Sequence, residues 1–285
     1  MSAQASLLPG NRLHLNHGPI DLVISADGEA GEVRRAYDFA AAIFPNILPE
    51  LVAELPLLRA PIGDVKPTLC NPIARRMVDA VWPYRTVFVT PMAAVAGAVA
   101  EHVAAGMVHA ANLRRAIVNN GGDIAIYLAP GTTMRAGVVG DLSLPALDAT
   151  VEIAAADGVR GIATSGWRGR SLSLGIADSV TVLAAAAGEA DAAATMIANA
   201  VDVADPAIRR SPACAVRDGS DLGETLVTVE VGPLSAGKIA RALENGARRA
   251  EEIRGRGLIV AAYLQLQGQM RVVGGAGLMA AGKAA

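Results

Sequence analysis

Two runs of strand character, Ala116-Ile117-Val118 and Ile124-Ala125-Ile126-Tyr127-Leu128, are separated only by Asn119-Asn120-Gly121-Gly122-Asp123. A connection that short joins antiparallel neighbours, because parallel strands need a crossover of about a dozen residues or more. Asn-Gly is also a favoured pair in tight hairpin turns, where the central residues take positive φ. The same logic applies near the start. Arg12-Leu13-His14-Leu15 and Pro19-Ile20-Asp21-Leu22-Val23-Ile24-Ser25 alternate apolar and polar residues around Asn16-His17-Gly18, which reads as a β-hairpin. Leu258–Val273 reads as a strand or a further hairpin.

Between these runs lie helical patterns. Asp27 to Leu58 has helical spacing interrupted by Pro45, Pro49 and Pro56, and Ile73–Trp82 forms a short helix. Thr86–Val89 reads as a short strand. Met92–Leu113 is dominated by small residues, with Ala favouring helix and Gly97 and Gly106 allowing close backbone approach. Thr150–Ile153, Gly161–Thr164, Ser179–Leu183 and Leu226–Val231 are strand candidates, and Glu189–Val201 and Leu234–Arg254 are helices. Irregular alternation with several short strand connections predicts an α+β fold, not a doubly wound parallel sheet. No linker-like shift in composition and no repeat divides the chain.

The net charge is −2 and aromatic residues make up 3 %. A nucleic-acid binder needs a basic footprint and stacking platforms, so none is expected here. No membrane segment is expected either. Pro91–Leu113 is broken by Glu101, His102 and His109, and Val180–Ala200 by Glu189 and Asp191, short of the roughly 18 uninterrupted apolar residues of a spanning helix. Met1–Gly10 has neither a basic region nor an apolar core like those of a signal peptide. Cys70 and Cys214 form no disulfide framework, so the expected compartment is the cytoplasm.

Three places could carry chemistry. The turn Asn120-Gly121-Gly122-Asp123 can present backbone N–H groups to an anion, or it can be an ordinary type I′ turn. As a binding element, it predicts that Gly122→Val removes ligand binding with stability nearly intact. The stretch Thr164-Ser165-Gly166-Trp167-Arg168-Gly169-Arg170-Ser171 suits a phosphate or pyrophosphate through its hydroxyls, glycines and forked arginine donors, or it is a solvated loop. Asp191 and Thr195 stand i,i+4 on one helix face and offer the hard oxygen ligands that Mg²⁺ accepts, or Asp191 merely complements the dipole of its own helix. Gly277–Ala284 fails as a phosphate loop because Ala284 stands where Ser or Thr is needed and the chain runs out at Ala285. His102 and His109 lack zinc-protease spacing.

Taken in order, these segments resemble the UPF0280 family within the ApbE-like superfamily. The matching blocks are Pro91-Met92-Ala93-Ala94-Val95-Ala96-Gly97, Val118–Ile124, Ala163-Thr164-Ser165-Gly166 with Ser171-Leu172-Ser173-Leu174-Gly175, Ala177–Val182, and Ala190–Thr195. Each is weak alone; five in order are specific. The resemblance implies mixed or antiparallel sheets with packed helices in one domain over 1–285, as one body or two tightly packed lobes. A flexible tail is expected from about 276 to 285. ApbE proteins are Mg²⁺-dependent FAD:protein FMN transferases that attach FMN to a Thr or Ser of an acceptor protein and release AMP. By carry-over, Asp191, Thr195 and the carbonyl of Ala94 would hold Mg²⁺. Asn120, Gly121, Gly122, Asp123, Thr164, Ser165 and Gly166 would line the site of FAD or another nucleotide.

The chain departs from that pattern where transferases carry Lys-Gly, here Gly97-Ala98, and where they carry His, here Arg170. Three functions follow: an enzyme acting on a flavin pyrophosphate by transfer or hydrolysis, a non-catalytic flavin or nucleotide binder, and a different small-molecule enzyme on the same scaffold. Arg168 or Arg170 would replace the lysine's charge, and a lysine restored at Gly97 would speed slow FAD cleavage. No catalytic residue and no oligomeric state is assigned by these residues.

Overall fold

The computed structural model describes residues 2–138, 149–275 and 278–280. The chain opens with β1 (Gln4–Leu8), β2 (Arg12–His17) and β3 (Ile20–Gly28), then α1 (Ala30–Ala53), α2 (Leu55–Leu58), α3 (Pro72–Val81) and α4 (Val95–Ala110). Next come β4 (Leu113–Asn120), β5 (Asp123–Leu128), β6 (Thr133–Val138), β7 (Ala149–Ala154), β8 (Gly161–Ser165), β9 (Ser179–Ala184) and α5 (Ala187–Ala200). The last part holds β10 (Ile208–Pro212), α6 (Ala213–Val216), β11 (Leu226–Val231), α7 (Ala236–Gly255), β12 (Ala261–Leu266), β13 (Gln269–Gly274) and β14 (Leu278–Ala280). This is the expected α+β architecture, with antiparallel sheets and packed helices.

The chain divides into two compact units. The first comprises residues 1–133, 154–163 and 184–192, the second 134–153, 164–183 and 193–285. In the first unit, β1 to β5 form consecutive antiparallel pairs, and β8 joins β5 through Ile124↔Ile162 and Ala125↔Gly161. The β2–β3 hairpin closes on Gly18 and Pro19 between His17 and Ile20. The β4–β5 hairpin closes on Gly121 and Gly122, with Asn120 opposite Asp123. Alternation along β2 and β3 buries Leu13, Leu15, Leu22 and Ile24 on one face, against which α1 packs.

α1 runs straight through Pro45 and Pro49, where the sequence predicts interruption. Each proline removes one N–H from the helix ladder. The apolar stripe Val33, Ala36, Tyr37, Ala40, Phe44, Ile47 and Leu51 stays in register across both and is buried throughout, so tertiary packing overrides local propensity. Pro56 marks the real stop, in the first turn of α2. The strand expected at Thr86–Val89 is a loop. Val87 and Phe88 are exposed, and Val89 is tied to Ile62 by a single backbone hydrogen bond.

α4 is the core helix of the first unit, packed against α1, α3, β4 and β5. Together with the preceding 3-10 turn it forms Pro91–Ala110, the one stretch among the described residues long and apolar enough to cross a membrane; half of it is buried inside the protein. In the second unit, β12 pairs antiparallel with both β9 and β13, and α7 packs on β12 and β13. β10 pairs with β11, and β14 with β7 at Leu278↔Val151. Of the tail expected at about 276–285, Leu278–Ala280 is therefore a strand; residues 276, 277 and 281–285 lie outside the described residues. Cys70 and Cys214 are free thiols.

Candidate functional site

The first unit brings three elements together at the start of α4. Asn120, the last residue of β4 and 4 % exposed, donates through Nδ2 to the carbonyl of Ala96 at 3.1 Å. The next residue, Gly97, donates its backbone N–H to Asp191 Oδ2 at 3.0 Å. Asp191 lies on α5, so its carboxylate occupies the N-terminal end of another helix, where orphan N–H groups and the helix dipole favour negative charge. Burial nonetheless dominates and raises the Asp191 pKa to about 7, against the lowering effect of the Gly97 and Ala96 N–H groups.

The expectation that Asp191 merely complements its own helix is thus replaced by a longer-range contact. No spacing rule could have found it, because Gly97 and Asp191 are 94 positions apart. Thr195, one turn further along α5, is partly buried. Ala94 closes the 3-10 turn Pro91–Ala94 ahead of α4 and is fully buried.

Gly97 fills a different role from the one its place in the motif suggests. A Cβ there would lie 2.2 Å from the carbonyl oxygen of Ala187 and 2.9 Å from the nitrogen of Gly188. The residue is glycine because α4 and the start of α5 meet backbone to backbone. Glu101, farther along α4, is also engaged: one oxygen pairs with Arg76, and the other accepts the Gly188 N–H at 3.4 Å. Burial and the Glu101 charge push the Glu189 carboxyl above its usual range.

The double-glycine turn has φ of +64° at Gly121 and +113° at Gly122. The Gly122 N–H already donates to Asn119 Oδ1 at 2.8 Å, so this donor is not free for an anion unless Asn119 turns away. A Cβ on Gly122 would meet nothing within 4 Å. The backbone, not space, is what a side chain there would strain. Gly122→Val is therefore expected to cost about 1–3 kcal/mol of stability rather than leave it intact. Thermal melts of Gly122→Val beside wild type check this; identical melting curves would contradict it.

The second unit holds the arginine-bearing loop. Thr164 on β8 shares a hydrogen bond of 2.9 Å with Thr181 on β9, and Ser165 is partly buried. Gly166 is buried, and a Cβ on it would lie 2.4 Å from the Asp178 carbonyl oxygen, so this glycine too is required by packing. Gly175 makes a similar approach to the backbone of α5, with Ala198 O at 2.0 Å from its Cβ position. Asp178, whose side chain is 9 % exposed, accepts from Arg168 Nε at 3.2 Å and from Trp167 Nε1 at 3.3 Å. Arg168 also stacks over the Trp167 ring at 4.6 Å. Its charge is committed to Asp178, whereas the Arg170 side chain is exposed and, among the described residues, carries no ion pair; its carbonyl accepts from Arg217.

The donor chemistry fits a hard cation of the Mg²⁺ type. A carboxylate, a hydroxyl and a backbone carbonyl leave positions for waters and phosphate oxygens. Among the described residues no three His, Cys, Asp or Glu side chains converge as an all-side-chain metal centre.

A family model described as AbpE bacteria matches residues 4–272. The UPF0280 protein of Methanothrix thermoacetophila is 37 % identical over 157 residues, which cover 54 % of this chain and 63 % of that protein. A UPF0280 protein of Methanopyrus kandleri is 38 % identical over 160 residues, covering 55 % and 61 %. The chain thus spans less than two thirds of these relatives' own length. The crystal structure of the ApbE protein of Thermotoga maritima superposes with a TM-score of 0.50 at 12 % identity, covering 95 % of this chain and 97 % of that one, a likeness of fold. With a family model spanning nearly its whole length, this chain belongs to the family described as AbpE bacteria, and the curated proteins it resembles are UPF0280 proteins.

Proposed function

We propose that this protein binds a flavin nucleotide, FAD, together with Mg²⁺, and acts on the pyrophosphate. The observation that carries the reading is the partly buried Asp191 carboxylate docked on the Gly97 N–H beside Asn120, in a chain whose motifs follow the ApbE-like order. Asp191, Thr195 and the Ala94 carbonyl would hold the cation. Mg²⁺ would neutralise charge on the pyrophosphate oxygens as the P–O bond to AMP breaks. Asn120 fixes the strand end against α4, and the Gly121-Gly122 turn of the first unit would line the nucleotide; Thr164–Gly166 is a nucleotide-binding candidate by motif order alone. In transfer, a Thr or Ser oxygen of an acceptor protein bonds to the FMN phosphorus, its proton is released, and AMP leaves. In hydrolysis, water takes the acceptor's place and FMN and AMP are the products.

Gly97 favours a second reading, flavin binding without chemistry. The contact with Ala187 leaves no room for a lysine at the start of α4, so the fixed cation of a transferase is missing there. Arg170 is the replacement this loop offers, and a lost charge-assisted hydrogen bond of about 1.5–3 kcal/mol weakens binding by roughly tenfold or more.

The test is calorimetric titration of FAD with and without Mg²⁺, for wild type and Arg170→Ala, with AMP release followed by chromatography. Mg²⁺ is expected to tighten FAD binding at least tenfold and Arg170→Ala to weaken it at least tenfold. AMP release separates an enzyme from a binder. Absence of FAD binding in the presence of Mg²⁺ overturns both readings.

A further inference from the structure

A groove of about 500 Å³ lies wholly within the first unit, beside the second half of β5 and the C-terminal half of α4. The flavin reading makes no use of it. Its floor is apolar, built from small residues such as Ala105 and Ala125 with Ile126. Its polar groups are few: Arg76, Glu101, His109, Tyr127 and Arg160.

The charges there do not cancel. Glu101 is spent on Arg76 and on the Gly188 N–H at the start of α5. Arg160 donates to the backbone carbonyls of Val159 and Ala155, both at 2.9 Å, and among the described residues no carboxylate pairs with it. These two bonds fix the guanidinium in place while leaving its charge uncompensated. Ala185 and Ala186, which immediately precede α5, line the same wall, so the positive end of a 14-residue helix adds to the field. The volume falls within the roughly 300–1,000 Å³ of small-molecule sites, and an apolar floor with a few convergent polar groups is their usual make-up.

We propose that this groove is a second ligand site, taking a small organic anion: an apolar body on the alanine floor, with its anionic head on Arg160. It is separate from the nucleotide site, which is built on the turn at the opposite, N-terminal end of β5. Arg160 is the anchor, since a guanidinium binds a planar or tetrahedral anion through two parallel hydrogen bonds. Tyr127 supplies a hydroxyl and a ring on the wall.

The test uses 1-naphthoate as probe and 1-naphthalenemethanol as its neutral counterpart, titrated calorimetrically into the full chain with and without saturating FAD and Mg²⁺. Naphthoate is expected to bind with the same affinity in both conditions, and the alcohol at least tenfold more weakly. Arg160→Gln is expected to weaken naphthoate at least tenfold. Because Arg160 also ties two loop carbonyls, Ala105→Trp at an exposed position of α4 serves as the second variant; its indole fills the groove and should likewise weaken binding tenfold. Failure of naphthoate to bind at millimolar concentration, equal binding of the alcohol, unchanged affinity in Ala105→Trp, or displacement by FAD would each overturn the second site. None of these outcomes bears on whether FAD itself binds.

Discussion

Gly97→Lys is expected to yield little or no folded protein, and even Gly97→Ala should lower the melting temperature by about 10 °C. The Cβ of any side chain at this position lies 2.2 Å from the carbonyl oxygen of Ala187 and 2.6 Å from its carbon. The obstacle is backbone at the entry to α5, which cannot rotate aside as a side-chain end can. Relief requires moving α5 away from α4, and with it the Gly97–Asp191 bond. Overpacking of this kind costs about 3 kcal/mol or more, and at about 2–4 °C per kcal/mol that is close to 10 °C in Tm. Gly237→Ala is the matched control: it is also a helical glycine, in the first turn of α7, but its Cβ would meet nothing within 4 Å. There alanine is expected to be neutral or stabilising by about 0.5–1 kcal/mol. Thermal melts of both variants decide the matter, and a Gly97→Ala protein melting within 2 °C of wild type would show that α5 can move aside at little cost. The expectation that a lysine at Gly97 would speed FAD cleavage is corrected by the same contact: the substitution removes the site before any charge can act.

Gly97 marks the limit of what the sequence makes legible. Its neighbourhood is readable as a small-residue helix, and Gly97 as a point of close approach, but what approaches is α5, whose first residue is Ala187. Local signals performed well. The Gly121-Gly122 turn pins Asn120 opposite Asp123, and the two apolar runs flanking it pair as the short connection requires. Local signals failed where long-range packing outweighs them. Pro45 and Pro49 are breakers by propensity, yet α1 continues because its buried stripe runs on to Leu51. Thr86–Val89 has strand composition but, among the described residues, no partner strand, and such a segment stays a loop. In the site, the family motifs point to Asp191, Asn120 and Gly166 but not to the residues these contact. Gly166 is a packing residue against Asp178, and Arg168 is neutralised by that same Asp178, ten residues along, whereas composition alone reads Arg168 and Arg170 alike as free phosphate donors.

Asp191→Asn is expected to make the cation-free protein more stable and the cation-bound protein weaker, and this pairing separates the two roles a buried carboxylate can have. As an acceptor at the N-terminus of α4, asparagine is as good as aspartate, since its amide oxygen can take the Gly97 N–H just as well. As a cation ligand it is poor, because the charge is gone. In wild type the folded-state pKa of Asp191 is about 7, raised from 3.8 by burial. The native state therefore holds this proton more tightly than the unfolded chain does. This group's contribution falls as pH rises from about 4 to about 7 and is flat beyond. Three units at about 1.36 kcal/mol each bound the loss at about 4 kcal/mol, and water relaxing around a residue that is only partly buried reduces it to on the order of 2. At pH 8 without cation, Asp191→Asn should thus melt about 5 °C above wild type, and the two should converge near pH 4. Adding Mg²⁺ and FAD reverses the order: wild type gains stability by mass action, whereas the variant gains none. A variant that matches wild type in its Mg²⁺-dependent gain would show that Asp191 is a helix cap and nothing more.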